Sequence, residues 1–253
     1  MATRIESRRG VIDAERRFFL ISAWVMAGVI VAGFSARLAS GRSSFSLPLI
    51  YHIHAFVFFG WVALYLLQTG LVAAGNVRLH RRLGWLAAGW VPVMVALGTI
   101  LTIVSLRTHG GPPFFDANEF LVQNILGVLY FAGFAAAAIG MRRRTDWHRR
   151  LMYCGMASLT GPGLGRLLPM PLFIPWAWWV NQFFVALFPI VGILADQHRH
   201  GRVHRAYWWG MGLFVAVLIG GDLFAYSPPG IALTRAVMAG TPGDRADLHA
   251  HMP

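Results

Sequence analysis

The chain has 253 residues, 57% of them hydrophobic and only 13% charged, whereas a soluble domain carries roughly 25% charged residues and a disordered chain far fewer apolar ones. Water is therefore excluded as its main solvent. The 22 basic residues, all arginine, stand against 10 acids for a net charge of +12, which on a soluble protein would point to nucleic acid and on a membrane protein to topology.

A bilayer core of about 30 Å asks for about 20 mainly apolar residues per helix. Seven such runs follow one another, at 17–35, 47–74, 84–106, 120–141, 151–168, 175–195 and 207–225. The fifth is the shortest and is interrupted by Gly161, Pro162, Gly163 and Gly165. The expected fold is an all-α integral membrane bundle of seven transmembrane helices over 17–226. A basic cytoplasmic N-terminus, 1–16, precedes it, and a polar outer-side tail, 227–253, follows with His249 and His251. The first run is long enough to span and lacks a convincing cleavage site, so it is read as a crossing and not as a signal peptide.

With the N-terminus inside, sixteen arginines fall in inner segments, and six (Arg37, Arg42, Arg107, Arg166, Arg235 and Arg245) fall outside. That asymmetry predicts N-inside, C-outside. The positive charge then serves orientation and contact with anionic lipid headgroups, and no nucleic acid is needed to explain it. The single cysteine, Cys154, excludes an internal disulfide and a cysteine-built zinc site. The absence of lysine excludes a retinal Schiff base.

Each of the last three inner loops ends in His-Arg at the start of an outward-running helix: His80-Arg81, His148-Arg149 and His204-Arg205. Each preceding helix carries a polar pair about 22 to 28 residues earlier: His52 and His54, Gln123 and Asn124, Asn181 and Gln182. This predicts three related helix hairpins after an extra first helix, and sites often lie where such repeats meet.

Polar side chains are costly in hydrocarbon and normally face the bundle interior or a wet cavity. His54, Trp61, Tyr65 and Gln68 are spaced 7, 4 and 3 residues apart and share one stripe of their helix, with His52 on another face. One reading is a cavity open to the outer side, lined by His54, His52, Gln68, Tyr65, Gln123, Asn124, Asn181 and Gln182. It would hold haem b, a transition metal, a quinone headgroup or a small solute. The other is polar glue between helices. A bis-histidine haem is disfavoured because His52 and His54 share a helix.

At the inner face His80, His148 and His204, with Asp196, form a candidate metal set if the hairpins converge. The simpler reading puts each His-Arg pair at headgroup level, against lipid phosphate. Arg166 and Asp222 lie at comparable depth and suggest an interhelical ion pair, with Arg166 alternatively steadying an anionic ligand over the glycine-rich stretch. Trp176, Trp178, Trp179, Trp208 and Trp209 fit interfacial belts.

The run HIHAFVFFGWVALYLLQTGLVAAGNVRLHRRLGW, with the later HRRLM and the segment from Asp196 to Arg205, resembles the signature of a family of bacterial polytopic membrane proteins of unknown activity. The family pattern has proline where this chain has Arg205. The resemblance covers Leu47 to Gly212 and implies a multi-pass fold in the bacterial inner (plasma) membrane. Three functions stay open: a cofactor- or ligand-binding protein, a small-solute transporter, and a non-catalytic subunit assembling with other membrane subunits. The first is favoured because polar residues from several helices converge at one depth.

Overall fold

The computed structural model describes residues 2–252, with side chains from Asp13 onward. It is all-α: α1 (Ala2–Ala39), α2 (Leu49–Ala73), α3 (Val77–His109), α4 (Ala117–Gly140), α5 (Thr145–Ser158), α6 (Gly161–Leu167), α7 (Ala177–His200), α8 (Arg205–Ala225) and α9 (Pro228–Met238), with one 3-10 turn at Met170–Phe173. Six helices, α1 to α4, α7 and α8, are long and apolar enough to cross a membrane. Phe56, Trp85, Trp209 and Leu223 stand outward and exposed on them, as side chains do when their solvent is hydrocarbon and not water.

Three hairpins turn at one end of the bundle, here the basic end. Asn76 caps α3 by accepting from the Leu79 N–H, and His204 caps α8 by accepting from the Ala206 N–H. Gly201 ends α7 in the left-handed region at φ 65°, where a side chain would be strained. The turns leave three or four residues between helices, so successive helices must pack antiparallel.

The packing order explains which side chains are hidden. α1 packs on α2, α2 on α3, α3 on α4, α4 on α8 and α8 on α7, and α6 closes the ring between α7 and α1. α5 sits inside the ring against α4, α7, α8 and α1. Arg150, Leu151, Tyr153, Cys154, Gly155, Met156 and Ala157 are consequently all buried. A Cβ on Gly210 of α8 would stand 2.6 Å from the Cys154 Sγ, so glycine there is what lets α8 approach.

The expected fifth crossing is therefore not one continuous helix. It breaks at Leu159 and Thr160 into α5 and α6 and is not among the long apolar helices. Its α5 half, ringed by protein, has no need of a lipid-facing surface, which is why the sequence there is less apolar than that of its neighbours.

The end opposite the hairpins, the far end, is closed by the C-terminal segment. Beyond α9 the chain returns over α3 and α4: the Gly243 N–H donates to the Arg107 carbonyl, the Ala117 N–H to the Leu248 carbonyl and the Ala250 N–H to Asp116 Oδ1. Leu248 is buried with Leu106, Ala117, Leu121 and Met238. The expected polar tail is thus a docked strap. Trp178, expected in an interfacial belt, is buried against Phe115 and Met170.

Candidate functional site

Polar side chains gather at the two ends in different ways. At the basic end, Arg150 in the first turns of α5 points between α1 and α7. Its Nε and Nη2 donate in parallel to Asp196 of α7 at 2.8 and 2.6 Å, and Nη2 also donates to Glu15 of α1 at 2.8 Å. Arg149 reaches the same Glu15 oxygen at 2.7 Å. The side chains of Glu15, Arg150 and Asp196 are no more than 4% exposed. Two guanidinium groups thus balance two carboxylates, and the paired, bidentate geometry offsets the cost of removing the charges from water.

Asp196 also accepts from the His204 backbone N–H at 3.1 Å, which ties the start of α8 to α7. The His204 ring in turn lies 3.1 Å from the Asp146 carboxylate. Partial burial pushes the Asp146 carboxyl up, but hydrogen bonds from the His204 ring and the Trp147 backbone N–H outweigh it and hold the group below its ordinary range. Glu15, Asp196 and His200 offer ligand atoms within 4.8 Å of one another, a spacing that suits a metal ion. The Arg150 guanidinium already stands between the two carboxylates, and a cation could bind only by displacing it.

The inner metal set does not converge. His80 and His148 face each other across α3 and α5 with ring centroids 6.0 Å apart. His204 belongs with Asp146 and Asp196 on the opposite side of α5. The His148 Nδ1 lies 2.8 Å from the Ala138 carbonyl. Gln68, oriented so that its donors meet acceptors, donates to the His80 Nδ1 at 2.6 Å and accepts from the Gly84 N–H at 2.9 Å. Gln68 therefore joins α2 to α3 at the basic end, away from the outer set in which the sequence placed it. Position 68 lies in the last turns of a helix that runs toward that end.

The far-half residues divide into two groups. Gln123 of α4 donates to the Leu218 carbonyl and to Asp222 Oδ1 of α8, both at 2.7 Å. Asn124 bonds within its own helix to the Phe120 carbonyl, and His52 stands 3.1 Å from the Leu47 carbonyl. These are glue and caps. Asp222 is accordingly paired with Gln123. Arg166 donates to the Pro162 carbonyl at 2.7 Å and lies over the Phe34 ring at 4.0 Å. The expected Arg166–Asp222 ion pair is not formed, because the two residues sit on different flanks of the bundle.

The second group surrounds α6. His54 of α2 stacks on Phe58 at 4.1 Å, and the next residue, Phe59, meets the Phe34 ring on which Arg166 lies. On the other flank Asn181 of α7 is buried against Gly161 and Gly165, with its Oδ1 unpartnered. Gln182 follows half-buried, and Tyr65 is buried deeper on α2. The glycines of α6 are small for a packing reason: a Cβ on Gly163 would come 2.8 Å from the Ile30 Cα, and one on Gly33 would strike the Gly163 carbonyl. The close approach is that of helix α1, not of a ligand.

Comparison of the chain with models of known protein families, with curated proteins and with solved structures finds no match. The site is therefore read from its own chemistry.

Sequence reasoning missed Glu15 and Arg150 as functional partners, having counted the arginine only toward topology. A signal was present. A carboxylate in the last turns of an apolar helix, as Asp196 is, opposes the helix dipole and needs a cation nearby. The acid nearest the membrane in a basic segment, as Glu15 is, needs the same.

Proposed function

We propose that the chain is a multi-pass protein of the inner (plasma) membrane whose outer half binds a small ligand around α6. α5 and α6 together form the fifth of the seven crossings, over residues 151–167, with the N-terminus and the hairpin turns inside. The weight of arginine at the basic end supports that orientation. The resemblance of 47–212 to a bacterial membrane family fits the same placement, as does descent of the three hairpins from one repeat.

The observation that carries the ligand reading is the grouping around one seven-residue helix of a guanidinium (Arg166), a half-buried imidazole (His54) and a buried amide oxygen without a partner (Asn181). Buried polar atoms are nearly always satisfied, so an unpaired one marks a position a ligand can complete. Phe34, Phe58 and Phe59 adjoin the charged groups. The matching ligand has an acidic group for Arg166 and a flat apolar body for the rings. A b-type haem belongs to this class, with His54 as its one protein nitrogen. A bare metal ion is less favoured because one nitrogen alone is gathered there.

The test is an absorption spectrum, elemental analysis and native mass spectrum of the detergent-purified protein. A chromophore or retained acidic ligand that His54→Ala and Arg166→Gln each release supports the reading. A preparation that is colourless, metal-free and without retained ligand overturns it.

A further inference from the structure

A cleft of about 780 Å³ opens at the basic end, between the first turns of α1 whose side chains are described and the ends of α2 and α7. Its rim carries Arg16, Arg17 and Arg199, and its wall continues through Phe18 and Ile21 to Ala73. Among the described residues the one acid on the cleft, Asp13, sits 3.8 Å from Arg16. The described side chains of the cleft therefore carry a net charge of +2. Glu15 is buried on the opposite face of α1 with Arg149 and Arg150, so it does not neutralise the rim.

Two features give the occupant its chemistry. Arg199 lies over the Phe18 ring at 4.4 Å, which fixes the guanidinium plane by stacking and leaves its N–H donors available to an anion. Phe18, Ile21 and Trp24 recur every three residues along α1, and Ile21 and Trp24 are 61% and 62% exposed. From the rim inward the surface passes from charge to hydrocarbon over about two helical turns. A soluble anion would use only the rim, whereas a molecule with a phosphate head and an acyl tail matches both parts.

We propose that this cleft binds an anionic phospholipid, its headgroup phosphate held by Arg17 and Arg199 and an acyl chain lying over Phe18 and Ile21. The site is separate from the far-half ligand site and depends only on the chain spanning a membrane.

The test is lipid retention by native mass spectrometry after purification, titrated with phosphatidylglycerol, phosphatidylcholine or glycerol phosphate. An arginine near a charged surface contributes enough that removing one weakens anionic-lipid binding about fivefold and removing two about thirtyfold. Arg17→Gln with Arg199→Gln is expected to lose phosphatidylglycerol by that factor. Arg143→Gln with Arg144→Gln, equal in charge but exposed and outside the cleft, should change it less than about twofold. Ile21→Asn, which leaves every arginine in place, should also weaken retention, and it serves if the double arginine variant does not fold. Equal binding of phosphatidylglycerol and phosphatidylcholine overturns the proposal. So does unchanged retention by both Arg17→Gln/Arg199→Gln and Ile21→Asn, or displacement of the lipid by equimolar glycerol phosphate.

Discussion

The two ends of the bundle handle buried polarity in opposite ways. At the basic end every charge that leaves water finds an opposite charge at hydrogen-bond distance: Arg150 holds Asp196 and Glu15, and Arg149 shares Glu15. Around α6 the polar groups are half-satisfied: the exposed Arg166 has a carbonyl and a ring, and the buried Asn181 Oδ1 has no partner. The basic-end cluster is balanced in charge, even though Arg149 Nε and the Tyr207 hydroxyl lack partners, and such a cluster rigidifies; one with an uncompensated cation can receive an anion. The comparison teaches that conspicuous charge clustering marks the clasp of this fold, and that the incomplete cluster is the better place to look for function.

Breaking the clasp should have the largest effect. Arg150→Ala leaves two carboxylates buried without their cation, a change that costs about 3–5 kcal/mol. It should appear as a collapse of melting temperature in detergent or as loss of folded protein on size exclusion. Arg150→Lys should recover part of it, since one ammonium cannot reproduce the parallel bonds to Asp196. If Arg150→Ala melts like the wild type, the contrast between the two ends is wrong.

Next in size is the contact between α1 and α6. Gly163→Ala places a methyl 2.8 Å from the Ile30 Cα and 2.9 Å from the Val29 carbonyl, and overpacking against backbone costs about 1–3 kcal/mol. Gly127→Ala, with nothing within 4 Å, is the matched control and should not destabilise. The same substitution at position 163 should shift the group around Arg166 and weaken any ligand there, which Gly127→Ala should not do.

The far-half site should show the reverse pattern. His54→Ala removes a half-buried ring that stacks on Phe58 and has no role in the clasp. Its cost should stay within about 1–2 kcal/mol, while ligand retention is lost. A large drop in stability with no change in bound ligand would assign His54 to packing instead.

The amount legible beforehand follows the same division. Helix runs and their ends could be read because lipid demands long apolar segments and arginine punctuates them, so six of the seven runs coincide with long apolar helices. The run at 151–168 was hardest to read, because α5 answers to neighbouring helices and not to lipid. Residue types that need partners were visible, but the partners were not. Gln68 shares a helical stripe with His54, yet about four turns along one helix separate two ends of a bundle less clearly in sequence than in space. Arg166 and Asp222 have equal depth and different flanks, and depth alone is what hydropathy reports. Gly163 and Gly33 announce small volume without saying whether a ligand or another helix fills the space.

The smallest effect tests the comparison within the basic end itself. Asp196 and Asp146 both serve His204, the first through its backbone N–H and the second through its ring. Asp196 is buried, whereas the Asp146 side chain is 53% exposed, and an exposed pair contributes only about 0–1 kcal/mol. Asp146→Asn should therefore cost far less than Asp196→Asn, although each removes one charge. The pH dependence has a definite sign. Because the folded protein holds the Asp146 carboxyl below its ordinary range, its contribution is fully present above about pH 4 and disappears as pH falls through the lowered value. The difference in melting temperature between the wild type and Asp146→Asn should be constant at neutral pH and shrink toward zero in acid. A difference that instead grows in acid would mean that His204, and not Asp146, carries the interaction.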